Sequence, residues 1–442
     1  MPFYLAAWMR VSEWRYVAHS NRDLEKGNSA KRPAKRDAMR FAISLLAIAC
    51  TVVLGWPRLH AQSRNALDHV TVPMSVEGNV PIVTLLFIRP DGGTRTARFL
   101  FDSGGGAIIL DERLATDLGL KPEGPELSDD GQRYRAVKPP AARIGGMTLD
   151  LSASKAFVHL GATSFTNRDA LEGMLPGKAL EHYQVVLDYP RQLWSIGKSG
   201  TLAHRGERLL APYLASSGHP RIEVSIGGAT YGLLLDTGAA VTLLREDLLR
   251  GWSREHPDWP RGSGAVGPAN MGGGTDDPHL LLLRIPALQV GSFTLSKVAT
   301  VSRPDLTYSA TSYETPAAIV GALGGNVLSQ FRVEIDYPEQ LLFLKPSGKI
   351  PANDFDTVGL VLDTNSAGEL VVRAISSSAS EETRHSVLPG DIILQIGNVH
   401  NARYTLTEAA RALSGTVGER KQLRILRKGQ PMTATVTVSR IL

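Results

Sequence analysis

Two short stretches hold the residues best suited to chemistry. Residues 99–110 read FLFDSGGGAIIL, and residues 233–244 read LLLDTGAAVTLL. In each, an apolar run ends in an aspartate, Asp102 or Asp236. A hydroxyl residue follows (Ser103 or Thr237), then three glycines from Gly104 in the first stretch or Gly238 and two alanines in the second, then a second apolar run. Glycine permits a tight turn and lets another backbone come close. The hydroxyl can bond backbone groups and fix the loop. A single D-[ST]-G is an ordinary surface turn. Two of them, each between apolar strands, predict two carboxylates presented at loops that meet. Like charges in contact cannot both ionise, so such a pair holds one proton between them. The ionised member can take a proton from water while the other donates to a carbonyl. That is general acid–base hydrolysis of a peptide bond with no covalent intermediate.

The elements that must position these loops repeat along the chain. GMLPGKALEHYQVVLDYPRQLWSIGK (173–198) matches GALGGNVLSQFRVEIDYPEQLLFLKP (321–346) without a gap, at an offset of 148. RIGGMTL (143–149) matches QVGSFTL (289–295), and the two Asp stretches match at an offset of 134. The order is the same in both copies, and the second carries about 14 extra residues between its first and last blocks. This is a duplicated domain. VPIVTLLFI (80–88), RIEVSI (221–226) and FRVEID (331–336) read as strands. DERLATDLGL (111–120) and REDLLRGW (245–252) carry helical spacing after each Asp loop. A further unit begins near residue 355. GLVLDT, LVVRAI, DIILQIGN, KQLRILRKG and MTATVTVSR predict five strands, and TLTEAARALSG (405–415) predicts a helix closed by Gly415. PSGKIPAND (346–354) reads as the linker.

The 442 residues suffice for about three domains. Of the 48 Lys and Arg, 10 lie within residues 1–61 against 4 acidic residues there. The net +5 therefore belongs to the N-terminus, and the remainder has no electrostatic footprint for nucleic acid. Residues 39–61, MRFAISLLAIACTVVLGWPRLHA, place Arg40 before an apolar run from Phe41 to Trp56, with small Ala61 as a cleavage position. That is the pattern of a secretory signal peptide. An uncleaved anchor through 41–56 is the alternative, and positive charge upstream sends the body across the membrane in either case. Residues 1–38 are polar and unlike a signal, as an over-extended start before Met39 would be. Cys50 is the single cysteine and lies inside the apolar run, so no disulfide framework is available. AIAC also faintly resembles a lipoprotein cleavage box, but Ala47 stands where leucine is usual.

On these motifs, residues 75–347 resemble retropepsin-like aspartic proteases in tandem. ALGGNVLSQ (322–330) resembles that family's second signature, the segment crossing behind the catalytic loop. The resemblance implies that Asp102 and Asp236 are the catalytic pair, supported by Ser103, Gly104, Thr237, Gly238 and Gly324. It also implies a Gly-rich hairpin over the cleft, with SDDGQRYR (128–135) and GAVGPANMGGGTDD (264–277) as candidates. The first copy departs from the pattern, since Pro176 stands where the second has Gly324, with Gly177 one position on. Residues 355–442 resemble a PDZ domain of the bacterial periplasmic-protease kind, carried by LPGDIILQIGN (388–398). VGLVLD (358–363) stands where the carboxylate-binding loop would be, implying that Val358, Gly359, Leu360 and Val361 hold a peptide C-terminus by strand addition.

The expected fold is thus mainly β: two acid-protease lobes related by pseudo-twofold duplication, at 75–200 and 207–347, and a C-terminal α/β PDZ domain at 355–442. The expected activity is aspartic endopeptidase action on polypeptides outside the cytoplasm, in the periplasm or tethered to face it, without metal or cofactor. A degenerate protease-like scaffold acting as a PDZ adaptor is the alternative, and so is a dyad formed across two chains. GSGAVG (262–267) fits G-x-G-x-x-G, but no strand leads into it and Pro268 follows, so it fails as a dinucleotide fingerprint. The 11 histidines show no metal spacing, and His182 stands opposite Gln330 in the repeat. No G-x-S-x-G occurs. Asp188 and Asp336, in repeated DYP turns, read as strand-ending carboxylates.

Overall fold

The computed structural model describes residues 67–442 other than 130–131, 153, 162–170, 272–276, 350, 352, 366 and 399–404. The signal-like segment 39–61, the extension before it, Cys50 and the Asp130-Gly131 turn lie outside the described residues. No described helix is long and apolar enough to cross a membrane.

The chain is mainly β, and its two copies lay down strands in one order. In the first, β1 (Thr94–Asp102), β2 (Ile108–Asp111), β3 (Glu123–Asp129), β4 (Gln132–Val137), β5 (Ala156–Leu160) and β6 (Gly173–Pro176) follow one another. In the second, β7 (Ala229–Leu235), β8 (Thr242–Arg245), β9 (Arg261–Ser263), β10 (Leu281–Val290), β11 (Phe293–Arg303) and β12 (Gly321–Leu323) do the same. Across the first sheet these run β3-β4-β5-β2-β6-β1, and across the second β9-β10-β11-β8-β12-β7. The parallel and antiparallel pairings agree term by term. β1 runs parallel to β6 and β7 to β12; β5 runs parallel to β2 and β11 to β8. β1 is amphipathic at its outer end and buried throughout at its inner end, where Phe99 to Asp102 lie. The aspartate is therefore delivered from a strand already surrounded by core.

One difference between the copies is the link between their third and fourth strands. Two residues (130–131) join β3 to β4, whose ends pair Asp129 with Gln132. Seventeen residues (264–280) join β9 to β10, whose ends pair Ser263 with Leu281. This link is fifteen residues longer in the second copy. A short helix, α1 (Pro268–Met271), lies within it.

A six-stranded sheet joins the copies. Its centre is the antiparallel pairing of Tyr183–Asp188 with Phe331–Asp336, in which Val186 faces Glu334. Those two positions are equivalents in the 148-residue repeat, so the pairing is symmetric about a local twofold axis through them. Glu334 is fully buried there. It accepts hydrogen bonds from Gln184 Nε2 (2.7 Å) and Arg332 Nη1 (2.8 Å) and contacts His204 Nδ1 (2.5 Å), as a buried carboxylate must to be tolerated.

The C-terminal part forms an antiparallel sheet in sequence order: β13 (Leu360–Thr364), β14 (Leu370–Ile375), β15 (Ile392–Ile396), β16 (Arg420–Arg427) and β17 (Gln430–Thr437). All five predicted strands are present. The predicted helix is α2 (Leu406–Leu413), which ends ahead of Gly415. Thr405 caps it, and Glu408 returns the bond to the Thr405 amide, so two orphan donors are satisfied reciprocally. This sheet has its own core, yet Phe355, Val361, Ile441 and Leu442 belong to an apolar cluster shared with Ala265, Val266, Leu282 and Val301 of the second copy. Arg284 of β10 reinforces that junction through Asp354 (2.5 Å) and the Leu442 carbonyl (3.1 Å). Residues 346–354 therefore lead into a packed neighbour, and the described residues make one compact unit.

Candidate active site

The two Asp loops meet. The Ser103 hydroxyl donates to the Leu235 carbonyl (2.6 Å) and accepts from the Thr237 amide (3.0 Å). The Thr237 hydroxyl donates to the Phe101 carbonyl (2.8 Å) and accepts from the Ser103 amide (2.9 Å). These four bonds form two symmetric pairs within one chain, and both hydroxyl residues are fully buried. Each hydroxyl thus fixes the opposite copy's loop.

The loss of bulk after each aspartate has a steric cause. A Cβ on Gly238 would overlap the Asp102 carboxyl carbon, and one on Gly104 would stand 3.0 Å from the Asp236 carboxyl carbon. Each loop's glycine lies against the other loop's carboxylate. Asp102 Oδ1 accepts from the Gly104 amide (2.9 Å), and Asp236 Oδ1 accepts from the amides of Gly238 (2.9 Å) and Ala239 (3.0 Å). Asp236 Oδ2 has no hydrogen-bond partner.

Both carboxyl groups are buried and both bind protons more tightly than ordinary carboxylates. Burial raises Asp102, while its interaction with the neighbouring Asp236 carboxyl and with the Gly104 amide pulls it back down. Burial raises Asp236 well above the usual range, and the negative charge of Asp102 adds to it. The pair titrates as a unit. In its singly protonated state the two carboxyl groups hold one proton and one negative charge between them.

Two residues outside the sequence reading lie close beneath. Tyr189 and Tyr337 are repeat equivalents, both from the DYP turns, and both hydroxyls are buried without a hydrogen-bond partner. Burial pushes both phenols up, and each also feels one aspartate: Tyr189 feels Asp236, and Tyr337 feels Asp102. The aspartates of those turns are structural, with Asp336 held by the Ser199 hydroxyl (2.9 Å) and Asp188 paired with Arg191 (3.3 Å).

The segment behind each loop differs between the copies. Gly324 caps a turn of helix (Gly325–Leu328), and a side chain there would overlap Val241 backbone. Asn326 then locks the loop. Its Oδ1 accepts from the Thr242 amide (2.8 Å) and hydroxyl (2.9 Å), and its Nδ2 donates to the Ala299 carbonyl (2.9 Å). Asn326 lies within ALGGNVLSQ, where a polar residue inside an apolar run is the sequence signal for it. In the first copy Pro176 sits opposite Asp102 in the strand register. Its neighbour Gly177 makes the close approach instead: a Cβ there would stand 2.9 Å from the Ser103 carbonyl oxygen and 2.6 Å from the Tyr337 hydroxyl. The equivalent of Asn326 is Lys178, which bonds Glu181 and the Ala215 carbonyl, so the first copy has no asparagine lock.

The candidate hairpins diverge. β3 and β4 pair up to Asp129 and Gln132. Of the 264–277 stretch, the part before residue 272 carries α1 and bridges the C-terminal sheet through Val266 and Val361, and 272–276 lie outside the described residues. Val358, Leu360 and Val361 are all buried, Gly359 has φ +83°, and the Val358 amide is already bonded to the Leu413 carbonyl. Among the described residues no cluster of three His, Cys, Asp or Glu is placed to hold a metal ion. No family model matches the chain, and no curated protein is significantly similar to it.

Proposed function

We propose that this chain is an aspartic endopeptidase of the retropepsin-like kind with both lobes in one polypeptide, followed by a PDZ-like peptide-binding domain. The observation that carries the reading is the reciprocal grip of Ser103 and Thr237, which sets Asp102 and Asp236 against each other within one chain. Asp102, ionised, takes a proton from a water that attacks the peptide carbonyl carbon. Asp236 gives its proton to the carbonyl oxygen, making a hydrated tetrahedral carbon. Asp102 then gives its proton to the amide nitrogen while Asp236 takes one back from a hydroxyl of the hydrated carbon. The C–N bond breaks, a carboxylic acid and an amine leave, and the pair is restored. Since both groups bind protons more tightly than ordinary carboxylates, the alkaline limb of the pH–rate profile lies above the usual carboxylate range. The signal-like pattern of 39–61 supports action outside the cytoplasm, in the periplasm or tethered to face it. Pro176 and the missing asparagine lock of the first copy favour a second reading, a non-catalytic adaptor.

A statine-type inhibitor, which mimics the hydrated carbonyl, separates the two. It binds the wild type one per chain, and Asp102→Asn or Asp236→Asn abolishes that binding. Equal binding to wild type and variants contradicts the dyad.

A further inference from the structure

Strand β13 is the edge of its sheet, and an edge strand offers an unpaired row of backbone donors and acceptors. Here that row is engaged by the chain itself. Val266 forms an antiparallel bridge with Val361. The Asn270 side chain then continues the ladder as a backbone would. Its Nδ2 donates to the Leu362 carbonyl (2.9 Å), and its Oδ1 accepts from the Leu362 amide (3.2 Å). On the other side, α1 packs against α2. Ala265 and Val266 are fully buried and Ala269 nearly so, in one apolar cluster with Val361. A Cβ on Gly264 would stand 3.1 Å from Val361 Cγ2, so the segment lies tight on the strand. The insertion that distinguishes the second copy from the first therefore fills the space between β13 and α2.

We propose that residues 264–270 are an intramolecular occupant of the peptide groove between β13 and α2, and that an extended peptide with an apolar C-terminus binds there only by displacing them. This rests on the PDZ-like reading of residues 355–442 given above. It deepens that reading by making groove binding competitive with a loop of the second lobe. Strand addition needs the Leu362 amide and carbonyl, and both are held by Asn270. The displaced segment is the link between β9 and β10. In the first lobe the corresponding link is two residues long, between the paired Asp129 and Gln132, so filling the groove from outside frees a loop at the corresponding position of the second lobe.

The test uses the full chain carrying Asp102→Asn, so that the probe is not cut. The probe is a fluorescein-labelled octapeptide with a free, apolar C-terminus, read by anisotropy. Asn270→Ala removes both ladder bonds, and Ala269→Glu sets a carboxylate where the helix is buried. Each variant binds the probe at least about tenfold more tightly than the parent, as loss of a competing pair of hydrogen bonds requires. Amide exchange at Leu362 rises in both. Affinities within twofold of the parent, or no binding in variants whose Leu362 amide exchanges freely, overturn the proposal. Anisotropy does not depend on hydrolysis. Failure here therefore leaves the dyad standing, and a catalytically silent wild type leaves this result standing.

Discussion

The grip between the Asp loops makes a quantitative prediction. Ser103→Ala removes one hydroxyl that makes two bonds at a fully buried position, to the Leu235 carbonyl and from the Thr237 amide. Two net hydrogen bonds at about 1 kcal/mol each give ~2 kcal/mol, and a buried amide left without a partner raises the total toward ~4 kcal/mol. Thr237→Val keeps the side-chain shape and removes the other two bonds, with a loss of about the same size. The two hydroxyls share no bond, so the double variant sums the single losses to within about 1 kcal/mol, even though the groups are neighbours. Urea unfolding followed by tryptophan emission reads the loss, because Trp194 is fully buried in the sheet joining the copies. Ser128→Ala, at an exposed strand position, serves as the control and changes stability by less than about 0.5 kcal/mol. If Ser103→Ala and Thr237→Val fall within the range of Ser128→Ala, the loops are held by something else and the argument fails.

Asp236 binds its proton more tightly folded than unfolded, so its contribution to stability is present at acid pH and lost as pH rises through its folded value. Asp236→Asn accordingly stabilises the chain at pH 7 by about 1–3 kcal/mol, with the gain shrinking toward pH 4; thermal melts at the two pH values check the sign. Tyr337→Phe removes a buried hydroxyl that has no partner, so the melting temperature holds or rises, by up to about 2 kcal/mol in stability. A loss above about 1 kcal/mol shows that the hydroxyl is satisfied in solution, for example by an ordered water.

What was legible in the sequence was local or periodic. The strands 80–88, 221–226 and 331–336 fall on the residues expected, because alternation and β-branching are local signals. The Asp loops stood out because a carboxylate between apolar runs, followed by glycine, is costly unless something approaches it closely. The 148-residue offset marked the duplication, and the structure adds that its equivalents Val186 and Glu334 face one another in the joining sheet. What could not be read was set by contacts distant in sequence. GAVGPANMGGGTDD has the composition of a flexible hairpin, and nothing local says that Asn270 would bond a strand 92 residues away. The burial of Val361 comes from the same segment, whereas Val358 and Leu360 are buried in the C-terminal sheet's own core. Gly177 could be suspected beside Pro176, but its close approach to the Ser103 carbonyl and to the second copy's Tyr337 hydroxyl is set by contacts distant in sequence.

The central claim is a dyad made within one chain, and mixing variants tests it most directly. Purified wild type is assayed on a peptide library beside Asp102→Asn, Asp236→Asn and an equimolar mixture of the two. The account predicts turnover by the wild type, a loss of at least about 10³-fold in each variant, and no recovery on mixing, since no chain in the mixture carries both carboxylates. Turnover near the wild-type level in either variant, or activity restored by mixing, contradicts it.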